Sequence, residues 1–211
     1  MGWVTISALA TAVGTLVLAA ATFASVKSAN RAARVAERAL FAGLRPLLVP
    51  SRREDPAQRV GFVDLKWFKV PGGGAVAEAT DEAIYLAIAL RNASSGIAVL
   101  HGWRLFVGRV TNGDPTLDPA TFTRLSRDLY IPAGDIGFWQ GAYRDPSTAE
   151  FVSTREAIAT RSPLTIDLLY GDLEGGQRIV SRFVLDPREA DDDGFIVSIA
   201  RHWNIDRPDP R

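Results

Sequence analysis

The sequence predicts two parts of different fold class: a long N-terminal α-helix that crosses a membrane and continues as a stalk, and a mainly β domain behind it. Three observations carry this reading. Residues 3–26 contain no charged side chain. Glycine and proline are absent from Thr15 to Ala42. After Pro50 the apolar residues switch to alternate spacing, interrupted by segments rich in glycine, proline and asparagine.

The helix comes first in the chain. An uncharged run of about 24 residues spans roughly 36 Å as a helix, and the hydrocarbon core of a bilayer is about 30 Å thick. A cleavable signal peptide needs a basic segment before a shorter apolar stretch, and no basic residue precedes Lys27. A buried core helix rarely does without charge over such a length. The run therefore predicts a single membrane-spanning segment, with the lipid bilayer as its partner. The helix continues through the alanine-rich segment 29–40 to Gly43 and Pro46, which end it. Lys27, Arg31, Arg34 and Arg38 are spaced four, three and four apart, so they share one face. That stripe is expected to meet anionic lipid headgroups; its plainer reading is the solvated face of a stalk. Ala29, Ala33, Ala36 and Leu40 form a short apolar stripe, and Ala10 and Gly14 allow close approach of helices, which together suggest a homo-oligomer through the helix.

Charge sets the expected orientation. From Lys27 to Arg53 the basic residues are Lys27, Arg31, Arg34, Arg38, Arg45, Arg52 and Arg53, and the one acid is Glu37, a balance of about +6. The net charge of the chain is zero, so the remainder carries about −6. Positive charge is retained on the cytoplasmic side, which predicts a cytoplasmic β-domain; the alternative is an extracytoplasmic one.

The domains expected are 1–43 for the transmembrane helix and juxtamembrane stalk, 44–59 for a linker or first strand, and 60–211 for the β-domain. Val63, Leu65 and Trp67 alternate with Asp64 and Lys66. Ile84, Leu86, Ile88 and Leu90 alternate with Tyr85, Ala87 and Ala89. Trp103, Leu105 and Val107 follow, then Leu164 to Tyr170, Ile179 to Leu185 and Phe195 to Arg201. Turns are expected at Pro71–Gly74, Asn92–Gly96, Asn112–Pro115 and Glu174–Gly176. Short strands with tight turns predict an antiparallel immunoglobulin-like β-sandwich, with a closed barrel as the alternative. Asp118-Pro119 and Asp145-Pro146 each place a capping side chain before a proline, so one or two short helices interrupt the strands, the second reaching about Ala159.

The sequence shows no catalytic pattern. Cysteine is absent, which excludes disulfides, thiolate nucleophiles and thiolate zinc sites. Neither a nucleophile elbow nor a phosphate-binding loop of the G-x-x-x-x-G-K type occurs, and Gly72-Gly73-Gly74 reads as a turn. His101 and His202 read as structural. Asp191-Asp192-Asp193 are consecutive, whereas a calcium loop needs acids spaced so that they converge. Asp167, Asp172 and Glu174 flank a turn and form a candidate carboxylate cluster. Asn92-Ala93-Ser94 matches a glycosylation acceptor. An acidic domain with scattered arginines repels nucleic acid. No catalytic residue, cofactor or metal is expected.

The run from Tyr85 to Ala98, with its strand followed by Asn92-Ala93-Ser94-Ser95-Gly96, has a recognisable pattern. So do Leu169-Tyr170-Gly171-Asp172, Gly175-Gly176, Arg182-Phe183 and Arg201-His202-Trp203-Asn204. These resemble bacterial single-pass membrane proteins with a C-terminal β-sandwich-like domain. The resemblance implies an envelope protein of unassigned function and transfers no catalytic residue. The expected function is a membrane-tethered, non-enzymatic protein-interaction module. A ligand- or glycan-binding sensor on the outer side of the membrane is the alternative, and a hydrolase is a third reading.

Overall fold

The structure, a computed structural model, describes residues 2–111, 117–188 and 194–206. The chain divides into two compact units, residues 1–43 and 44–211. The turn expected at Asn112–Pro115 and the acidic run Asp191–Asp193 lie outside the described residues.

The first unit is one uninterrupted helix, α1 (Trp3–Gly43), of 41 residues. At 1.5 Å per residue it is about 62 Å long. It is long and apolar enough to cross a membrane. Polar side chains inside the apolar run satisfy themselves: the hydroxyls of Thr11, Thr15 and Thr22 donate to the carbonyls of Ser7, Thr11 and Leu18, one turn back. Such back-bonding gives these three hydroxyls a partner without water, which suits a lipid environment.

The second unit is antiparallel. Its strands are β1 (Leu48–Pro50), β2 (Gln58–Gly61), β3 (Trp67–Val70), β4 (Gly74–Ala79), β5 (Ile84–Asn92), β6 (Ala98–Val107), β7 (Thr123–Ile131), β8 (Ile136–Tyr143), β9 (Leu164–Gly171), β10 (Arg178–Pro187) and β11 (Phe195–Asn204). Strands β2 and β3 form a separate hairpin. The others form one sheet. Strand β5 has β8 along one side and both β4 and β1 along the other. From β4 the path continues through β11, β10, β9 and β6 to β7.

This path differs from the two separate sheets of an immunoglobulin-like sandwich. The layers are joined by a ladder of only two residue pairs, Phe195 with Ala75 and Ile196 with Gly74. The sheet folds over its own core: Trp103 of β6 and Trp139 of β8, far apart along the strand path, meet with ring centroids 5.3 Å apart. Ile84, Leu86, Ile88 and Leu90 of β5 face Ile166, Leu168, Phe183 and Leu185 across that core. Period two fixes which residues share a face; it does not name the neighbouring strand.

The helical interruptions exist with one shift. Pro119–Thr121 makes a 3-10 turn, and the Asp118 carboxylate accepts from the Ala120 amide. Helix α2 (Ala149–Ala159) begins three residues later than Asp145-Pro146 suggests. Thr148 is its N-cap and accepts from the Phe151 amide. Asp145 makes the preceding turn, accepting from the amide and hydroxyl of Ser147. Phe151 and Ala157 are buried in the main core.

Candidate interaction surface

The first alternating run, Val63 to Trp67, is a turn as far as Lys66 and enters a strand only at Trp67. Residues 62–66 are the tip of the β2–β3 hairpin, which opens at Trp67 opposite Gly61. The Phe62 amide donates to the Lys66 carbonyl and the Leu65 amide to the Phe62 carbonyl. This tight turn puts Leu65 at φ +61, the left-handed region that leucine rarely adopts. Val63, Leu65 and Trp67 are 77%, 84% and 60% exposed.

The hairpin that displays them is firmly held. Val60, Phe62 and Val70 pack with Tyr85, Ala87 and Ala89, the outward residues of β5, in a second apolar cluster. The rings of Phe62 and Tyr85 meet edge to face at 5.0 Å, and those of Phe62 and Phe68 at 5.7 Å. The Tyr85 hydroxyl donates to the Asp64 carboxylate. That bond holds the Asp64 carboxyl below its usual range and pushes the Tyr85 hydroxyl up. Lys66 pairs with Glu78 at 2.6 Å. The Trp67 ring lies across Gly61, where a Cβ would meet it at 2.8 Å, and the Arg59 guanidinium sits 5.6 Å from that ring's centroid. A strained leucine held between two strands costs about 1–3 kcal/mol, so the surroundings over-determine it.

The residues singled out from the sequence fall elsewhere. Lys27, Arg31, Arg34 and Arg38 are exposed along α1, and among the described residues none of them is in a salt bridge; Arg34 donates through Nε to the Asn30 carbonyl. Asp167 does not join a carboxylate cluster. It is fully buried and is held by Arg182 on one side and Arg104 on the other, at 2.7 and 3.0 Å. Phe106, Phe122 and Trp203 stack on those two guanidinium groups. Asp172 accepts from the amides of Gly176 and Gln177 and shapes the β9–β10 turn. Asn92 is fully buried: its amide donates to the carbonyls of Gly96 and Ile131, and its oxygen accepts from Leu47 and Ser94. An acceptor for a glycan must be reachable, so this asparagine organises the turn. His202 shares a hydrogen bond with Ser181.

A wider cavity of about 410 Å³ is lined by His101, Phe122, Arg124, Leu169 and Arg178. Its volume suits a small ligand. One of its two arginines is engaged. Arg178 makes a two-pronged pair with Asp206, which holds the Asp206 carboxyl low and the guanidinium high. Burial pushes His101 below its usual value, Arg178 adds to that, and Asp128 and Asp172 oppose it. Among the described residues no group of His, Asp and Glu side chains could hold a metal ion.

No protein-family model, curated protein or solved structure matches the chain. The functional reading therefore rests on the chain's own surface, and the pinned apolar tip is its most unusual part. The alternation of Val63, Leu65 and Trp67 was its signal. Its shortness, and the polar Asp64 and Lys66 between, hid the turn.

Proposed function

We propose that this protein is a membrane-tethered, non-enzymatic protein-interaction module, with its β-domain in the cytoplasm and the β2–β3 hairpin tip as its contact surface. The observation that carries this is the pairing of exposure with rigidity at Val63, Leu65 and Trp67. A large apolar side chain displayed on a fixed backbone loses little entropy on binding, and tryptophan is among the residues that dominate interface energies. Lys27, Arg31, Arg34 and Arg38 meet anionic headgroups where the helix leaves the bilayer.

A photocrosslinking amino acid at Leu65 tests the reading in intact membranes. A discrete protein adduct is expected, and it disappears when Trp67→Ala is added. A diffuse smear, lipid adducts alone, or an adduct indifferent to Trp67→Ala sinks the proposal. The second reading, a ligand-binding sensor, draws on the cavity beside His101 and Arg124. A reporter fused after residue 211 separates the two readings by side: signal from the exterior favours the sensor.

A further inference from the structure

The outer face of the β2–β3 hairpin carries charge that the fold does not use. Side chains alternate along its two strands. Val60, Phe68 and Val70 turn inward to the second apolar cluster, so Arg59, Trp67 and Lys69 turn outward and are exposed. Arg59 and Lys69 stand directly opposite each other in the ladder. Like charges at such a position lower the stability of the pairing. Among the described residues neither is in a salt bridge. The acids that bond to this hairpin are already answered. Glu78 is paired with Lys66 at 2.6 Å, and Asp64 is held by the Tyr85 hydroxyl and, at 3.7 Å, by Arg144.

Two cations without an acid thus sit behind the apolar tip. Lys69 is two strand residues from Trp67, roughly 7 Å along the strand. The Arg59 guanidinium lies 5.6 Å from the centroid of the Trp67 ring, so cation and indole form one continuous surface. Tryptophan and arginine are the side chains that most often anchor a protein interface. A host for this surface needs an apolar recess for Leu65 and Trp67, and carboxylates where Arg59 and Lys69 arrive. A bilayer suits it less well. Asp64 lies between Val63 and Leu65 with its side chain 34% exposed, so sinking the tip into lipid carries a carboxylate toward the hydrocarbon.

From this geometry we infer that the hairpin docks into an apolar recess of a partner protein whose rim is acidic, with Leu65 and Trp67 filling the recess and Arg59 and Lys69 pairing with carboxylates on the rim. This docking rests on the interaction-module reading and gives the partner its chemistry. The rim pairs select the partner and speed its arrival, and the apolar anchors hold it.

The test uses the full chain in intact membranes, with the photocrosslinking amino acid at position 65 as the probe. Arg59→Glu combined with Lys69→Glu is expected to cut the yield of the protein adduct roughly tenfold or more, and the matching pair of glutamine changes to cut it less. The adducted protein is identified by mass spectrometry, and the carboxylates nearest its crosslink are changed to lysine. Those lysines are expected to restore the adduct with the double glutamate variant and to weaken it with the unaltered chain. Near-ultraviolet circular dichroism of the purified full chain in nanodiscs checks that the variants fold. Arg59→Glu and Lys69→Glu made singly each leave an opposite-charge pair in the ladder, so they fold even if the double variant does not, and each is expected to lower the yield. A Trp67-dependent adduct indifferent to these charge reversals, or a loss that the partner's lysines do not rescue, overturns the inference and leaves the hairpin reading standing. An adduct to a second copy of this chain also overturns it. Lipid adducts alone, or no adduct, defeat the inference and the hairpin reading together.

Discussion

The two outer faces of the folded sheet are sealed in opposite ways. On β6, β9 and β10 the seal is electrostatic: Asp167 between Arg104 and Arg182, closed over by Phe106, Phe122 and Trp203. On β4, β5 and β8 it is aromatic: Tyr85, Ala87 and Ala89 beneath Phe62 and Phe68. The first seal turns its groups inward, so its charges have a structural role. The second leaves Val63, Leu65 and Trp67 largely exposed outside the buried cluster. Apolar surface left over after packing is complete is the part of this molecule free to serve a partner.

The contrast can be broken from either side. Asp167→Ala leaves two guanidinium groups without their shared carboxylate, and a buried pair broken this way costs about 3–5 kcal/mol. Denaturant unfolding of the full chain in detergent reads that loss as a lower midpoint with the same slope. Phe62→Ala removes the centre of the aromatic seal, for about 3 kcal/mol. Hydrogen exchange then shows faster opening of Gln58–Val70 while the β9–β10 ladder keeps its protection. Equal loss in both regions means the faces are one cooperative unit. Trp67→Ala changes stability by no more than about 0.5 kcal/mol, as surface substitutions do, while removing the Leu65 photoadduct.

The smallest effect is a pH dependence at the first face. Burial depresses the His101 pKa in the folded state, so below 6.5 the unfolded chain takes up the proton first. Stability from this group is fully present above pH 6.5 and falls as pH drops through the depressed folded value. Thermal unfolding scanned downward from pH 7 is expected to lose a component that His101→Gln abolishes. An identical profile in the variant means that His101 is not the source of that component.

Much of this was legible in the sequence, for identifiable reasons. The uncharged run of α1 and the alternation of Ile84 to Leu90 are local patterns imposed by one environment along a whole element. The alternation of Val63 to Trp67 looks the same over five residues, yet a strand buries a face only if something lies on it, and here nothing does. The partners of Asp167 are 15 and 63 residues away, so no spacing rule finds them. Residues 125–128 of β7 stand opposite the single residue His101 of β6, and such an irregularity depends on the partner strand's register.

The start of the second unit has a mechanical consequence. The chain leaves α1 and enters the fold at Leu44–Leu48, so any pull on α1 arrives there first. Gly96 lies against the Leu44 carbonyl, at a position where any Cβ would collide with it. Asn92 and Ala93 hold Leu47 from both sides of its peptide, and the buried Tyr170 hydroxyl accepts from the Leu48 amide while bonding Ser181. Load from α1 thus passes to the turn after β5 and, through one phenol, directly to β9 and β10. A tug on the helix is met by the middle of the core, and the three-residue β1 does not have to bear it alone.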